Sequence, residues 1–159
     1  MRVDRRQFIG VVGTAMIVGC SPDASEAAAQ KFEFTLSDAE WRKRLSPAQY
    51  RILRQEGTER PYSSPLNKEK RTGVFACAGC GLPLYASKTK FDSGTGWPSF
   101  WQALPNAVRT KSDFSLGMVR TEVICRRCGG HLGHVFDDGP PPTGKRHCIN
   151  GLALTFRPA

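Results

Sequence analysis

The sequence predicts a mainly β domain carrying a short two-helix N-terminal cap, and three observations predict it. Helix-capping signals cluster between Ser37 and Gly57. Beyond Gly57, glycines, prolines and short apolar runs alternate, the texture of short strands joined by turns. No internal repeat and no alternation of strands with helical patterns is present, which argues against a parallel α/β sheet.

The elements follow in order. Ser37-Asp38-Ala39-Glu40 has the form of a capping box, with Ser37 as N-cap and Glu40 three positions on, so a short helix is expected to about Leu45. Ser46-Pro47 starts a second helix, Tyr50 and Leu53 recur at helical spacing, and Gly57 is expected to stop it. Val74-Phe75, Leu84-Tyr85, Met118-Val119, Val123-Ile124, Val135-Phe136 and the run from Leu152 to Phe156 read as strands.

With 159 residues there is room for one ordinary domain but not two. No run is long enough for a mature transmembrane helix. Residues 1–29 read as an export leader and tether: Arg5-Arg6 precedes Phe8 and a short apolar run from Gly10 to Gly19, resembling the twin-arginine type. Ile17-Val18-Gly19-Cys20 has the form of a lipobox that would leave Cys20 lipidated, and Ala27-Ala28-Ala29 offers a rival cleavage site before Gln30. The expected location is therefore periplasmic, with membrane anchoring through Cys20 if the lipobox is used. The formal net charge of +9 contains no dense Lys/Arg run, so a solvated basic surface is favoured over a nucleic-acid footprint.

Five cysteines follow the leader. Cys77-Ala-Gly-Cys80-Gly81 and Cys125-Arg-Arg-Cys128-Gly129 are paired C-x-x-C-G knuckles. Each turn aims two sulfurs at one point, and two such turns make the tetrahedral four-cysteine set of a structural zinc site. The 44 residues between Cys80 and Cys125 place the knuckles on separate hairpins. Two alternatives compete: a pair of disulfides, natural in an oxidising compartment, and a cluster of Cys125, Cys128, His131 and His134, which strands Cys77 and Cys80. Cys148 is left over, in Arg146-His147-Cys148-Ile149-Asn150, and is either a buried, inert thiol or a reactive one whose pKa the cationic neighbours lower.

These segments converge. Gly94-Thr95-Gly96-Trp97-Pro98-Ser99-Phe100, Gly129-Gly130-His131-Leu132-Gly133-His134-Val135-Phe136, Asp138-Gly139 and Arg146-x-Cys148-Ile149-Asn150, with the second knuckle, resemble the B-type peptide-methionine (R)-S-oxide reductases in order from about Ser37 to Phe156. The resemblance makes residues 37–159 the catalytic domain. It implies two antiparallel sheets in a β-tent, with zinc at the end away from the active site. It implies reduction of protein methionine-(R)-S-oxide by a Cys148 thiolate that becomes a sulfenic acid. His131 and His134 are candidate proton donors, His134 the more direct. Asp138 is a candidate to orient an imidazole, Arg146 and Asn150 to hold the thiol or a water, and Trp97 with Phe136 to face the substrate methyl group. The implied partners are oxidised proteins and a thioredoxin-like reductant; separately, the chain is expected to be monomeric and to bind no nucleic acid. A zinc-stapled binding module without catalysis is the competing reading, but it has no use for Cys148 together with both histidines.

Three positions depart from the family pattern. Thr95 stands where many members carry a second cysteine that closes a disulfide, so an external thiol must reduce the sulfenic acid directly. His147 stands in place of the usual Tyr or Phe and either tunes Cys148 or fills space, and Gly151 stands where Ser is common.

Overall fold

The computed structural model describes residues 32–159. The expected leader, the lipobox cysteine Cys20 and the expected rival cleavage site lie outside the described residues.

Both helices begin as their caps dictate. Ser37 accepts from the Glu40 N–H, and the Glu40 carboxylate accepts from the Ser37 N–H at 2.8 Å, opening α1 (Asp38–Arg44). Ser46 forms a second capping box with Gln49 and opens α2 (Pro47–Gln55). The expected stop is displaced by one residue: Glu56, not Gly57, takes the left-handed conformation, at φ 54°. Gly57 serves a different need. Its N–H closes on the Arg51 carbonyl at 3.0 Å, and a Cβ there would sit 2.8 Å from that oxygen. Trp41, Tyr50, Ile52 and Leu53 are buried, and α2 packs on β7 (His131–Phe136) and on the 3-10 turn Gly151–Ala153.

Two antiparallel sheets make the body, as expected. One has three strands in the order β2-β1-β9, from β1 (Gly73–Cys77), β2 (Pro83–Ala86) and β9 (Leu154–Pro158). The other has six in the order β3-β4-β8-β7-β6-β5, adding β3 (Lys90–Phe91), β4 (Ser99–Phe100), β5 (Val108–Asp113), β6 (Arg120–Cys125) and β8 (Arg146–Ile149). Every pairing is antiparallel. Phe100 of the larger sheet meets Phe75 of the smaller at 5.0 Å and stacks on Tyr85 at 4.3 Å, so aromatic packing closes the core between them.

Two strand expectations are corrected. Met118 and Val119 form the exposed tip of the β5–β6 hairpin, and Leu152-Ala153 lies in the 3-10 turn that precedes β9. β5 carries no apolar run to announce it, since its middle is Arg109-Thr110-Lys111-Ser112; it is an edge strand whose partner, β6, supplies the buried residues.

Register decides what the larger sheet presents. Ser99 pairs with Cys148, Cys148 with His134, His134 with Glu122, and Glu122 with Lys111. Residues directly opposite share a face, so this row crosses five strands on one side. Their immediate neighbours Phe100, Ile149 and Val123 point to the other side and are fully buried in the core.

Candidate functional site

Two members of the polar row, Cys148 and His134, open onto the site. Cys148, half-buried on β8, lines a cavity of about 130 Å³ together with Thr58, Trp97, Arg120, Gly133, His134, Phe136 and Asn150. That is about four water volumes, room for the sulfur, oxygen and flanking carbons at the end of an oxidised methionine side chain.

His131 and His134 share a face only because of a bulge. Residues three apart in a regular strand point to opposite sides. Between Val123 and Ile124 the register with β7 slips, Val123 pairing Gly133 while Ile124 pairs His131, and the extra residue in β7 turns His131 back to the side of His134. The two rings meet edge to face at 5.5 Å. They differ in access. His131 is only 3% exposed and does not line the cavity, so it cannot touch a ligand there, whereas His134 does line it.

Each imidazole has a carboxylate, and neither carboxylate is Asp138. His131 Nδ1 lies 2.7 Å from Glu122 Oε1, and Glu122 also meets Lys111 Nζ at 2.9 Å. Burial works against ionising Glu122, but the hydrogen bonds from His131 and Lys111 outweigh it and hold its pKa low. His134 Nε2 lies 2.8 Å from Asp113 Oδ2, which Arg120 also holds at 2.7 Å. The Ser115 N–H first, then His134, keep Asp113 well below the usual carboxylate range. Burial depresses the His134 pKa, with Asp113 pulling the other way, so the ring is neutral at neutral pH. Asp138 instead clasps Arg146 in two parallel bonds of 2.9 and 2.8 Å, and Arg146 stacks on Phe136 at 4.5 Å. An imidazole-orienting role has no geometric support at Asp138; its β7–β8 turn points it at the arginine.

The thiol also departs from expectation. Desolvation raises the Cys148 pKa, and the opposing pulls of Thr95 and Arg146 do not overcome it. Cationic neighbours in the sequence point the other way, because burial is not visible in a string of residues. His147 points to the opposite face and meets the Tyr85 hydroxyl at 3.2 Å, away from the thiol.

Asn150 and Trp97 are fixed by a residue that sequence reasoning missed. Asn150 uses its whole amide, donating to the Leu132 carbonyl at 3.1 Å and accepting from the Glu59 N–H at 3.0 Å. The Glu59 carbonyl accepts from the Trp97 ring N–H at 3.2 Å, and its buried carboxylate accepts from the N–H groups of Gly151 and Leu152 at 2.6 and 2.9 Å. Nothing in the local sequence marks Glu59. Arg120 and Glu122 did leave a signal, charged residues spaced by two leading into the Val123-Ile124 strand; Asp113 did not, because nothing in the sequence announces β5.

The four cysteines of the knuckles form one cluster, their sulfurs within 4.8 Å of one another. Cys77 and Cys128 are 3.8 Å apart, Cys80 and Cys125 3.5 Å. Tetrahedral zinc with bonds of about 2.3 Å sets sulfurs roughly 3.8 Å apart, so the set fits the metal and not a pair of disulfides. Without a cation the neighbouring sulfurs, Cys125 first, push Cys77 and Cys128 upward, as expected for four thiols that cannot all ionise unaided. The Cys125, Cys128, His131, His134 alternative is excluded by the carboxylate pairing of both imidazoles. The knuckles close the β1–β2 and β6–β7 hairpins, one in each sheet.

Known proteins agree with this architecture. Residues 45–158 match the model of the SelR domain. The chain is 58% identical over 123 residues to a peptide methionine sulfoxide reductase MsrB of Thiobacillus denitrificans, covering 77% of this chain and 93% of that one. It is 57% identical over 122 residues to an MsrB of Methanosarcina barkeri, covering 76% and 86%, and 55% identical over 130 residues to one of Pseudomonas entomophila, covering 81% and 98%. With the fold, the cysteine cluster and the thiol–imidazole pocket in place, these matches make the chain a member of the SelR-domain family, alongside the MsrB proteins.

Proposed function

We propose that this chain is a peptide-methionine (R)-S-oxide reductase that returns oxidised methionine in proteins to methionine. The observation that carries the reading is a thiol and a neutral, carboxylate-backed imidazole, directly opposite on adjacent strands and sharing one small cavity with an indole.

The residues supply the chemistry in a definite order. A carboxylate can only accept, so His134 carries its proton on Nε2, facing Asp113, and keeps Nδ1 as a base. That nitrogen takes the Cys148 proton and makes the nucleophilic thiolate. The sulfur takes the oxygen, and the imidazolium returns the proton to it. Thiol and sulfoxide thus become sulfenic acid and thioether, Cys148 losing the two electrons the substrate sulfur gains. Trp97 offers an apolar face to the substrate methyl group and Phe136 extends that wall, which supports selection of one sulfur configuration. Arg146, fixed by Asp138, steadies the thiolate. His131 and Glu122 pack against His134 and position it.

Regeneration falls to an external thiol. Thr95 cannot form a disulfide, and among the described residues the other four cysteines form the metal cluster. A thioredoxin-like protein condenses with the sulfenic acid, releases water, and frees Cys148 with its second thiol. Cys77, Cys80, Cys125 and Cys128 hold a structural zinc ion, which supplies cross-linking and no step of the reaction. The leader-like composition of residues 1–29 supports a periplasmic enzyme, tethered if Cys20 is acylated; mass spectrometry of the mature N-terminus checks this, and an unmodified Gln30 terminus would rule out the tether.

The test is turnover on separated R and S sulfoxide peptides. Wild type is expected to reduce R only, and Cys148→Ser to reduce neither. Persistence of R reduction in Cys148→Ser overturns the reading. A Cys148 disulfide within the mature chain after turnover overturns direct regeneration.

A further inference from the structure

Three hydroxyls beside the thiol have no part in the chemistry above. Thr95 Oγ1 lies 3.8 Å from Cys148 Sγ and 2.8 Å from Ser93 Oγ. Ser93 Oγ lies 2.7 Å from Ser99 Oγ, and Ser99 donates to the Trp97 carbonyl at 3.1 Å. Ser99 is fully buried and pairs with Cys148 across β4 and β8, so the far end of this row is held by the same strands that hold the thiol. We propose that Thr95, backed by Ser93 and Ser99, is a positioning residue that donates a hydrogen bond to the Cys148 thiolate through a row of hydroxyls able to reverse direction.

Each hydroxyl has one proton to give and lone pairs to receive. With Cys148 protonated, the S–H points to Thr95, Thr95 to Ser93, Ser93 to Ser99, and Ser99 to the Trp97 carbonyl; every proton is used. When the sulfur loses its proton, Thr95 turns its O–H to the sulfur and Ser93 turns to Thr95. Ser99 then turns to Ser93, whose Oγ still accepts from the Thr95 N–H at 3.4 Å, and the Trp97 carbonyl gives up its donor. Rotation alone converts one state to the other. The row ends on a carbonyl, which does not take up a proton near neutral pH, so the row is no exit for the thiol proton; it stabilises the charge that His134 helps to create.

The other groups facing the sulfur explain why this matters. Arg146 shares its charge with Asp138, Arg120 from β6 is tied to Asp113, and His134 from β7 is neutral. Thr95 is the uncharged donor not committed to a carboxylate. Of the influences that pull the Cys148 pKa down, its hydrogen bond is the largest. A hydrogen bond to a charged sulfur is stronger than one to a thiol, so the row favours the reactive form over the resting one.

The role of Thr95 in reduction rests on Cys148 being the nucleophile, but the test does not. The pH dependence of iodoacetamide alkylation at Cys148 is followed by peptide mass spectrometry on the full chain. Thr95→Val is expected to move the midpoint to higher pH and slow alkylation at pH 7 about tenfold. Thr95→Ser is expected to restore the wild-type profile, and Ser93→Ala to shift it the same way by less. A Thr95→Val profile superimposed on wild type, or a Thr95→Ser profile that stays shifted, overturns the proposal. Failure of sulfoxide turnover with these alkylation shifts intact would count against the reductase reading alone.

Discussion

Cys148 sits under two opposed influences, burial that keeps its proton on and donors that favour its loss, and the imidazole opposite carries the reverse imbalance. Both are neutral at rest, and each changes charge only at the other's expense. His134→Asn removes the base and is expected to lower single-turnover reduction of the R isomer by roughly 10²–10⁴-fold. Asp113 raises the His134 pKa, so Asp113→Asn should move the acid limb of the kcat/KM profile to lower pH while reducing the rate. His147 supports a separate pH prediction. Desolvation, then Lys145, lowers its pKa to about 4, so between pH 6.5 and 4 the unfolded chain binds the proton that the folded one refuses. Stability is therefore full above pH 6.5 and lost as pH falls toward 4, by up to about 3 kcal/mol. His147→Phe should flatten this slope in thermal melts, while costing about 1–3 kcal/mol at neutral pH because the buried Tyr85 hydroxyl loses its acceptor.

Strands, more than loops, set the site. The β7 bulge brings two histidines to one face, and the close approach of β7 to β8 keeps His134 opposite Cys148. Gly133 permits that approach: a Cβ there would lie 2.1 Å from the Cys148 carbonyl oxygen. Gly133→Ala is expected to spread the two strands, lower the melting temperature and reduce kcat more than Cys148 alkylation, since the thiol stays accessible while its base moves away. The helices are more forgiving. Ser46→Ala removes one half of a capping box remote from the pocket and should cost about 1 kcal/mol with turnover intact.

The two sheets meet through an aromatic core and, at one edge, through four sulfurs, two from each sheet. A metal bound there joins elements far apart in the chain. Chelation is expected to lower the melting temperature sharply and to release close to one equivalent of zinc, measured by metal analysis. Loss of turnover should follow unfolding and not precede it, because no metal ligand lines the pocket. Retention of the full melting temperature after metal removal would contradict the clamp.

Motif-bearing residues were legible in the sequence: the Ser37 cap with Glu40, the paired knuckles, and, through the family resemblance, Cys148 with Trp97, His134 and Phe136. The cap and the knuckles depend on local spacing and residue chemistry, both written along the chain, whereas the grouping around Cys148 is what the family resemblance implied. What the sequence by itself determined was the inventory of candidate reactive groups, the paired cysteine knuckles and the mainly β architecture. The tertiary structure alone decided which carboxylate serves which imidazole, that Asp138 clasps Arg146, that Glu59 anchors Trp97 and Asn150, and that the thiol rests protonated. Those outcomes turn on strand register, on one extra residue in β7 and on exclusion of water, and all three arise only when distant segments pack together.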